Sequence, residues 1–341
     1  MPASQHPRCG EAPNADISFG FRVRLSLHEP VLIAIINTSP DSFYSASVTP
    51  PESGVENALA AVVDAVAAGA AVVDVGGQST RPGAAGVSPE EQISRVVPLI
   101  RAIRSSEALS PAHGRNLHAS PRAAGSLPNQ HDPAALAARV RDIPISVDTT
   151  SAEVAAAALE AGADAINDVS AGLDDPAMLA LAASRRAGLV LMHRLRPPSA
   201  DSYSDRYTSP PAYTNVVSDV AAFLRERLEA AIAAGVDPRS IVLDPGLGFG
   251  KTVQQNLELI RATPTLLALG RPILSALSRK SFVGRVSLER DSEPSERLAG
   301  TLALSLNHWN AGARLFRVHD IAAHAQAFRA WSAATLPINP T

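Results

Sequence analysis

The sequence has a single cysteine, few aromatic residues and no long uncharged apolar segment. Cys9 alone excludes an internal disulfide and a cysteine-cluster metal site, so a reducing compartment is the default expectation. No stretch of about 18 residues is free enough of charged and helix-breaking residues to span a membrane. The first twenty residues are polar and lack the apolar centre of a targeting segment. We therefore expect a cytoplasmic protein with no membrane partner.

The charges are nearly balanced, and the apolar content is high. Thirty basic and 33 acidic residues among 341 give a net charge of −3, which argues against a nucleic-acid partner. Apolar residues make up 46% of the chain and aromatic residues only 4%, so aliphatic side chains must fill a large core. The length suits one barrel of about 250 residues with additions, or two domains.

Short apolar runs alternate with helical patterns along most of the chain. Such runs are typical of buried parallel strands that are joined by helical crossovers. There are eight of them, near residues 31–36, 71–75, 144–147, 163–166, 188–192, 241–244, 271–274 and 313–316. Eight strand–helix units fit a closed (β/α)8 TIM barrel better than an open sheet.

Two segments differ in composition from the rest. Residues 1–28 are predicted to be disordered or loosely attached, and residues 29–335 to form a single barrel domain. Residues 106–139 are dominated by serine, proline, histidine, asparagine and glycine, apart from an alanine-rich piece near 133–140. This composition predicts a flexible insertion between the second helix and the third strand of the barrel.

Polar residues stand where the apolar runs end. They are Asn37, Asp74, Asp148, Asn167, His193, Asp244 and Arg317, and Lys280 follows the seventh run. In a barrel all eight carboxyl ends meet at one face, which is where barrel enzymes carry out their chemistry. Carboxylates and amides suit a flat heterocycle with ring N–H donors, and the cations suit an anion. From the residues alone we expect a barrel enzyme that binds a polar heterocycle and an anionic group.

Seven sequence blocks add a resemblance to this picture. They cover residues 37–43, 74–83, 146–149, 166–169, 244–252, 278–280 and 317–320. In these blocks and in their order, the chain resembles the dihydropteroate synthase family over roughly residues 31–331, apart from the insertion. The resemblance implies an enzyme of folate biosynthesis that joins 6-hydroxymethyl-7,8-dihydropterin diphosphate to 4-aminobenzoate by a dissociative substitution. The products are 7,8-dihydropteroate and diphosphate.

The resemblance also implies a role for each matching residue. The pterin diphosphate is expected to bind to Asp148, Asn167, Met192, Asp244, Phe249, Lys280, Arg317 and His319. Among these, Asp244, Lys280, Arg317 and His319 are the expected catalytic residues. The 4-aminobenzoate pocket is expected at Thr80, Arg81 and Ser281, and Mg²⁺ is expected at Asn37 and Asp41. The family further implies a homodimer.

Some positions depart from the family pattern and leave two alternatives open. Ser39 and Gln78 stand where threonine and glutamate are usual, and the residues after Phe43 differ from the usual first loop. The altered loop would fit a catalytically weak pterin-binding paralogue. The other alternative is a pterin-dependent methyltransferase domain, which Lys280 and His319 count against.

Overall fold

A computed structural model describes residues 16–20, 23–38, 51–105 and 132–335 of the chain. Eight parallel strands form its central sheet, and β3 pairs with both β4 and β10. The strands are β3 Val31–Asn37, β4 Val72–Gly76, β5 Ile145–Asp148, β6 Ala165–Asp168, β7 Gly188–Met192, β8 Ile241–Asp244, β9 Leu274–Ser275 and β10 Leu315–Val318. A parallel bridge between Leu243 and Ile273 joins β8 to the β9 side and closes the ring. The predicted TIM barrel is confirmed.

Helices surround the barrel. They are α1 Pro51–Ala68, α2 Pro89–Arg104, α3 Pro133–Asp142, α4 Ala152–Ala161, α5 Met178–Arg185, α6 Val216–Ala233, α7 Val253–Arg261, α8 Thr263–Leu267, α9 Ser281–Leu288, α10 Leu298–Asn310 and α11 Ile321–Thr335. Local capping explains several boundaries. Ser88 caps α2, with proline at its first position and acids in its first turn. None of the described helices is long and apolar enough to cross a membrane.

The N-terminal segment is better ordered than its sequence suggested. Residues Asp16–Phe19 (β1) and Val23–Ser26 (β2) form an antiparallel hairpin. Ile17, Phe19 and Leu25 are buried against the apolar interior of the barrel's amino end. The prediction of a loosely attached segment is therefore wrong for residues 16–20 and 23–28, because alternating apolar side chains anchor them. Residues 1–15 lie outside the described part of the chain.

The predicted insertion contains a helix at its carboxyl side. Helix α3 begins at Pro133, where the Asp132 side chain accepts a hydrogen bond from the backbone N–H of Ala134. Arg139 donates to the Val66 carbonyl of α1 over 2.8 Å, and Val140 is buried. The last part of the segment 106–139 thus packs on the barrel. Residues 106–131 lie outside the described residues, so the prediction of a flexible insertion stays a prediction there.

Along several strands, the inward-facing positions change from apolar to polar toward the carboxyl end. Because side chains alternate across a strand, residues two apart share one face. In β4, β6, β8 and β10 the inward pairs are Val72 and Asp74, Ala165 and Asn167, Val242 and Asp244, and Leu315 and Arg317. The outward positions are apolar and pack beneath the helices, except for Asp168 at the end of β6. The strands thus bring a polar layer together at one end of the barrel.

Candidate active site

A cavity of about 460 Å³ opens at the carboxyl end of the barrel. It is lined by eight of the predicted site residues: Asn37, Thr80, Arg81, Phe249, Lys280, Ser281, Arg317 and His319. Four others, Asp148, Asn167, Met192 and Asp244, are buried and do not line it. Asp148 is linked to the cavity wall through Arg317, which lines the cavity and donates a hydrogen bond to that carboxylate. Asp41 lies outside the described residues.

Arg317 joins two buried carboxylates. Its Nε donates to Asp74 Oδ2 over 2.6 Å, and its Nη2 donates to Asp148 Oδ2 over 2.7 Å. Burial lowers the pKa of Arg317, but the two carboxylates outweigh that effect and raise it. Burial raises the pKa of Asp148, and Arg317 opposes this rise. Asp148 Oδ1 is buried and has no hydrogen-bond partner among the described residues, so it is an open acceptor.

Asp244 ends β8 and fixes the start of the glycine-rich loop that follows it. Its Oδ1 accepts a hydrogen bond from the Gly246 N–H over 2.7 Å, and burial raises its pKa. Gly246 has a φ of 68°, and a Cβ there would lie 1.8 Å from the His193 carbonyl oxygen. Only glycine fits this approach. The loop is therefore held against the end of β7.

Lys251 holds the same loop from within. Its Nζ is fully buried and lies 2.9 Å from His193 Nδ1, 3.0 Å from the Gly246 oxygen and 2.8 Å from the Phe249 oxygen. Burial lowers the pKa of Lys251 to about 7, and that of His193 to about 2. A neutral His193 accepts at Nδ1 from the lysine. Lys251 is thus a structural residue that does not line the cavity.

Lys280 is the lysine that faces the cavity. Its Nζ donates to the Leu247 carbonyl and lies 4.2 Å from the centroid of the Phe249 ring. A Cβ at Gly248 would come within 2.6 Å of Lys280 Cδ, so this glycine makes room for the lysine. Burial lowers the pKa of Lys280 to about 8, while Asp244 opposes that shift. At neutral pH Lys280 is a cation beside a buried carboxylate.

His319 presents one ring nitrogen to the cavity wall. The Ser278 hydroxyl accepts from the His319 backbone N–H over 3.2 Å and lies 3.0 Å from Nδ1. A hydroxyl that accepts there can donate to Nδ1, which leaves the proton of the ring on Nε2. Burial, together with the charges of Arg317 and Arg279, lowers the pKa of His319 to about 3. At neutral pH His319 is a neutral hydrogen-bond donor.

The predicted 4-aminobenzoate residues come together from two loops. Thr80 and Arg81 follow β4, and Ser281 is the first residue of α9. The β4 loop is tied down by Gln92 of α2, whose Nε2 donates to Gln78 Oε1 over 3.0 Å and to the Val87 carbonyl over 2.9 Å. The side chain of Gln78 therefore helps to attach the β4 loop to α2.

The comparisons with known proteins agree with this geometry. The profile of the family described as pterin binding enzyme matches residues 33–110 and 134–319. Dihydropteroate synthase of Mycobacterium leprae is 38% identical over 309 residues, which cover 89% of this chain and 93% of that protein. The Synechocystis enzyme is 37% identical over 300 residues, which cover 86% of each chain. This chain belongs to the dihydropteroate synthase family. The family profile omits residues 111–133, which lie inside the predicted insertion.

Solved structures of the family have the same fold. The Xanthomonas albilineans dihydropteroate synthase with 4-aminobenzoic acid superposes with a TM-score of 0.75 and 35% identity, covering 95% of this chain and 99% of that one. The same enzyme in complex with 7,8-dihydropteroate gives a TM-score of 0.72 and 33% identity, covering 94% and 100%. The Thermus thermophilus enzyme in complex with 6HMPPP gives 0.68 and 32%, covering 93% and 99%.

Sequence reasoning missed one wall of this cavity. Tyr203, Asp205 and Arg206 line it from the β7–α6 loop, and Asp291, Ser292, Glu293, Pro294 and Arg297 line it from the segment after α9. The β7–α6 loop is docked on the glycine-rich loop, because Gly250 N–H donates to Asp201 Oδ2 over 2.7 Å and Tyr213 donates to the Gly250 carbonyl over 2.8 Å. No sequence pattern in residues 194–212 indicates this docking.

The family implies Mg²⁺, and the described residues are compatible with it. They contain no group of three or more histidine, cysteine or acidic side chains that could hold a metal ion. Mg²⁺ at phosphate sites needs only one or two protein oxygens, since water and phosphate oxygens complete its shell. Asn37 lines the cavity and supplies one such amide oxygen.

Proposed function

We propose that the chain catalyses the condensation of 6-hydroxymethyl-7,8-dihydropterin diphosphate with 4-aminobenzoate to give 7,8-dihydropteroate and diphosphate. The observation that carries the proposal is the polar layer at the carboxyl end of the barrel. There Lys280 and Arg317 line one cavity, and two buried carboxylates lie behind them. Arg317 bonds to Asp148, whose Oδ1 is an open acceptor, and the charge of Lys280 acts on Asp244. The family membership and the ligands named for solved relatives support the same reaction.

The buried layer suits the pterin ring. The carboxylates of Asp148 and Asp244 accept hydrogen bonds from ring N–H and amino donors, together with the amide of Asn167. Lys280 donates to a ring carbonyl or nitrogen. Met192 and Phe249 form a small apolar cluster with Val169, and this cluster packs beside a flat ring. A heterocycle with donors along one edge would satisfy acceptors that are otherwise costly to bury.

The outer part of the cavity suits the anionic groups. Arg317 and His319 bind the diphosphate, with His319 acting as a neutral donor. Asn37 and Asp41 would hold Mg²⁺, which would supply charge neutralisation for the leaving group. Thr80, Arg81 and Ser281 form the 4-aminobenzoate pocket. The amine of the bound 4-aminobenzoate then faces the methylene carbon that carries the diphosphate.

We propose a dissociative substitution. The amine of 4-aminobenzoate is a weak nucleophile, whereas diphosphate is a good leaving group once its charge is balanced. The electron-rich dihydropterin stabilises positive charge on its exocyclic methylene, so the C–O bond breaks before the C–N bond forms. The chain's part is to position the partners and to stabilise both charges. Deuterium on that methylene should give a large normal secondary isotope effect where chemistry limits the rate; an effect near unity would indicate direct displacement.

Growth complementation tests the function itself. Expression of the chain should restore growth without folate end products to a strain that lacks dihydropteroate synthase, while the empty vector should not. Failure of the folded wild-type chain would favour the catalytically weak paralogue, which the altered first loop suggested. Transfer of a methyl group from a methylated pterin would instead support the methyltransferase alternative.

The assembly and location belong to the same proposal. We expect a homodimer in the cytoplasm, with the last helices of the barrel as the contact, as the family resemblance implies. A single monomeric species in analytical ultracentrifugation at micromolar concentration would contradict the dimer.

A further inference from the structure

Asp74 is the most connected carboxylate of the polar layer, and the proposed reaction assigns it no role. Its Oδ1 accepts from the Ser146 hydroxyl, and its Oδ2 accepts from Asn167 Nδ2 over 3.1 Å and from Arg317 Nε over 2.6 Å. The residue is 1% exposed and does not line the cavity. Asp74 therefore touches two residues of the proposed pterin site and is itself enclosed by the strands.

The first consequence concerns the amide of Asn167. The two ends of an asparagine amide have nearly the same shape, but one end donates hydrogen bonds and the other accepts them. A carboxylate can only accept, so the end of Asn167 that faces Asp74 must be the NH₂ group. The amide oxygen is then held in the other direction. Asp74 thereby fixes the Asn167 amide so that its oxygen is an acceptor on the side away from Asp74.

The second consequence concerns Arg317. Its Nε is engaged by Asp74, and this contact fixes the plane of the guanidinium. In that plane Nη2 reaches Asp148 Oδ2 over 2.7 Å. One oxygen of Asp148 is thus satisfied, and Oδ1 remains an open acceptor. Without the anchor at Nε, the guanidinium could turn and bind both oxygens of Asp148.

We propose that Asp74 is a positioning residue that sets the hydrogen-bond pattern read by the pterin ring. Through its contacts with Asn167 and Arg317, Asp74 leaves two acceptor oxygens available, that of the Asn167 amide and Oδ1 of Asp148. These match adjacent N–H donors of a heterocycle. The inference rests on the proposed function, because that function supplies the heterocycle. Asp74 acts from behind its neighbours and does not contact the ligand.

Three variants separate this role from a purely structural one. Asp74→Leu keeps a similar volume but accepts no hydrogen bond. Asp74→Asn keeps one acceptor oxygen for Asn167 and Arg317, and Ser146 can rotate its hydroxyl to accept from the new amide. The matched control is Asp168→Asn, because Asp168 is also a buried carboxylate at a strand end, but among the described residues its side chain bonds only to Ser170 and Gly172 in its own loop. Asp74→Ala replaces the leucine variant if the latter does not fold.

Calorimetry with the pterin diphosphate alone gives the dissociation constant of each variant. We expect Asp74→Leu to weaken pterin affinity about ten- to a hundredfold. Asp74→Asn should recover most of the loss, and Asp168→Asn should lower the melting temperature while its pterin affinity stays near that of the wild type. The KM for 4-aminobenzoate at saturating pterin diphosphate should stay within about twofold of the wild-type value throughout.

Two results would overturn the inference. Unchanged pterin affinity in folded Asp74→Leu or Asp74→Ala would show that the carboxylate does not set the pattern. Equal losses in the leucine and asparagine variants would show that the charge of Asp74 matters, and not its acceptor geometry. A wild-type chain that binds no pterin would contradict the proposed function instead, so the two failures are distinguishable in the same titration.

Discussion

The two ends of the barrel interior are filled by different kinds of side chain. At the amino end, a hairpin inserts Ile17 and Phe19 against aliphatic side chains of the strands, and the contact is apolar. At the carboxyl end, two residues further along the same strands, the interior holds Asp74, Asn167 and Arg317. One end gains stability by excluding water from apolar surface, and the other keeps charged groups in place for a ligand. Substitutions at the two ends should therefore affect different measurements.

The largest effect is expected for Phe19→Ala at the amino end. Phe19 is 1% exposed, and its truncation should lower the free energy of unfolding by about 3–5 kcal/mol. Chemical denaturation would measure this change. The specific activity of the folded fraction should stay near the wild-type value. Leu173→Ala is the control, since Leu173 is 57% exposed and should change stability little. A loss of activity without a loss of stability would contradict the separation of the two ends.

Lys280→Met should produce the converse result at the carboxyl end. The loss of a half-buried cation that is proposed to contact the substrate should reduce kcat/KM by about ten- to a hundredfold, or more if the lysine acts mainly in the transition state. The thermal unfolding midpoint should move little. Arg239→Met serves as the control, because this exposed arginine precedes β8 at the opposite end and pairs with Asp237 in its own turn. Equal activity of the two variants would show that Lys280 has no role in the reaction.

A smaller effect, on pH dependence, sharpens the comparison. Because burial lowers the pKa of Lys280 to about 8, its charge is lost as the pH rises through that value. The kcat/KM for the pterin diphosphate should fall in an alkaline limb near pH 8, since this parameter reports on groups of the free enzyme. In Lys280→Arg the guanidinium stays charged, so the limb should disappear even if the plateau is lower. An unchanged limb would assign it to another group.

The smallest effect is expected where a linker replaces part of the predicted insertion. Replacement of residues 107–131 by a short glycine–serine linker leaves α3 and its Arg139 contact intact. The segment leads to the amino end of β5, on the face opposite the cavity, so steady-state activity should remain near the wild-type value. A large loss of activity in a folded variant would give the segment a role in assembly or in the site.

The sequence supported the barrel and the polar strand ends for a clear physical reason. Strand periodicity is local, so Val242 and Asp244 reveal an inward face that changes from apolar to polar within one strand. Together with the direction of parallel strands, this pattern is enough to locate the site. The strand pair Asp16–Phe19 and Val23–Ser26 was missed because two strands of four residues carry too short a pattern beside a polar, proline-containing start.

The hydrogen bonds and ion pairs within the site could not be predicted in the same way. Arg317 and Asp148 are 169 residues apart, and nothing local in either block indicates that they pair. Arg317 was expected to bind the diphosphate, whereas the structure also engages its guanidinium with two carboxylates. The start of α9 at Ser281 was hidden as well, because Arg279 adopts a left-handed φ of 59° just before it. Such pairings depend on closure of the whole barrel.

The glycine-rich loop also limits how this protein can change in evolution or in the laboratory. Gly246, Gly248 and Gly250 all have positive φ, and a Cβ on each would collide with a different neighbour: the His193 carbonyl, Lys280 and Leu195. A random library over residues 245–251 should therefore return glycine at these three positions in nearly every active clone. Variation would concentrate at the intervening side chains, and Phe249 is the one that lines the cavity. A search for altered ligand preference should begin at Phe249.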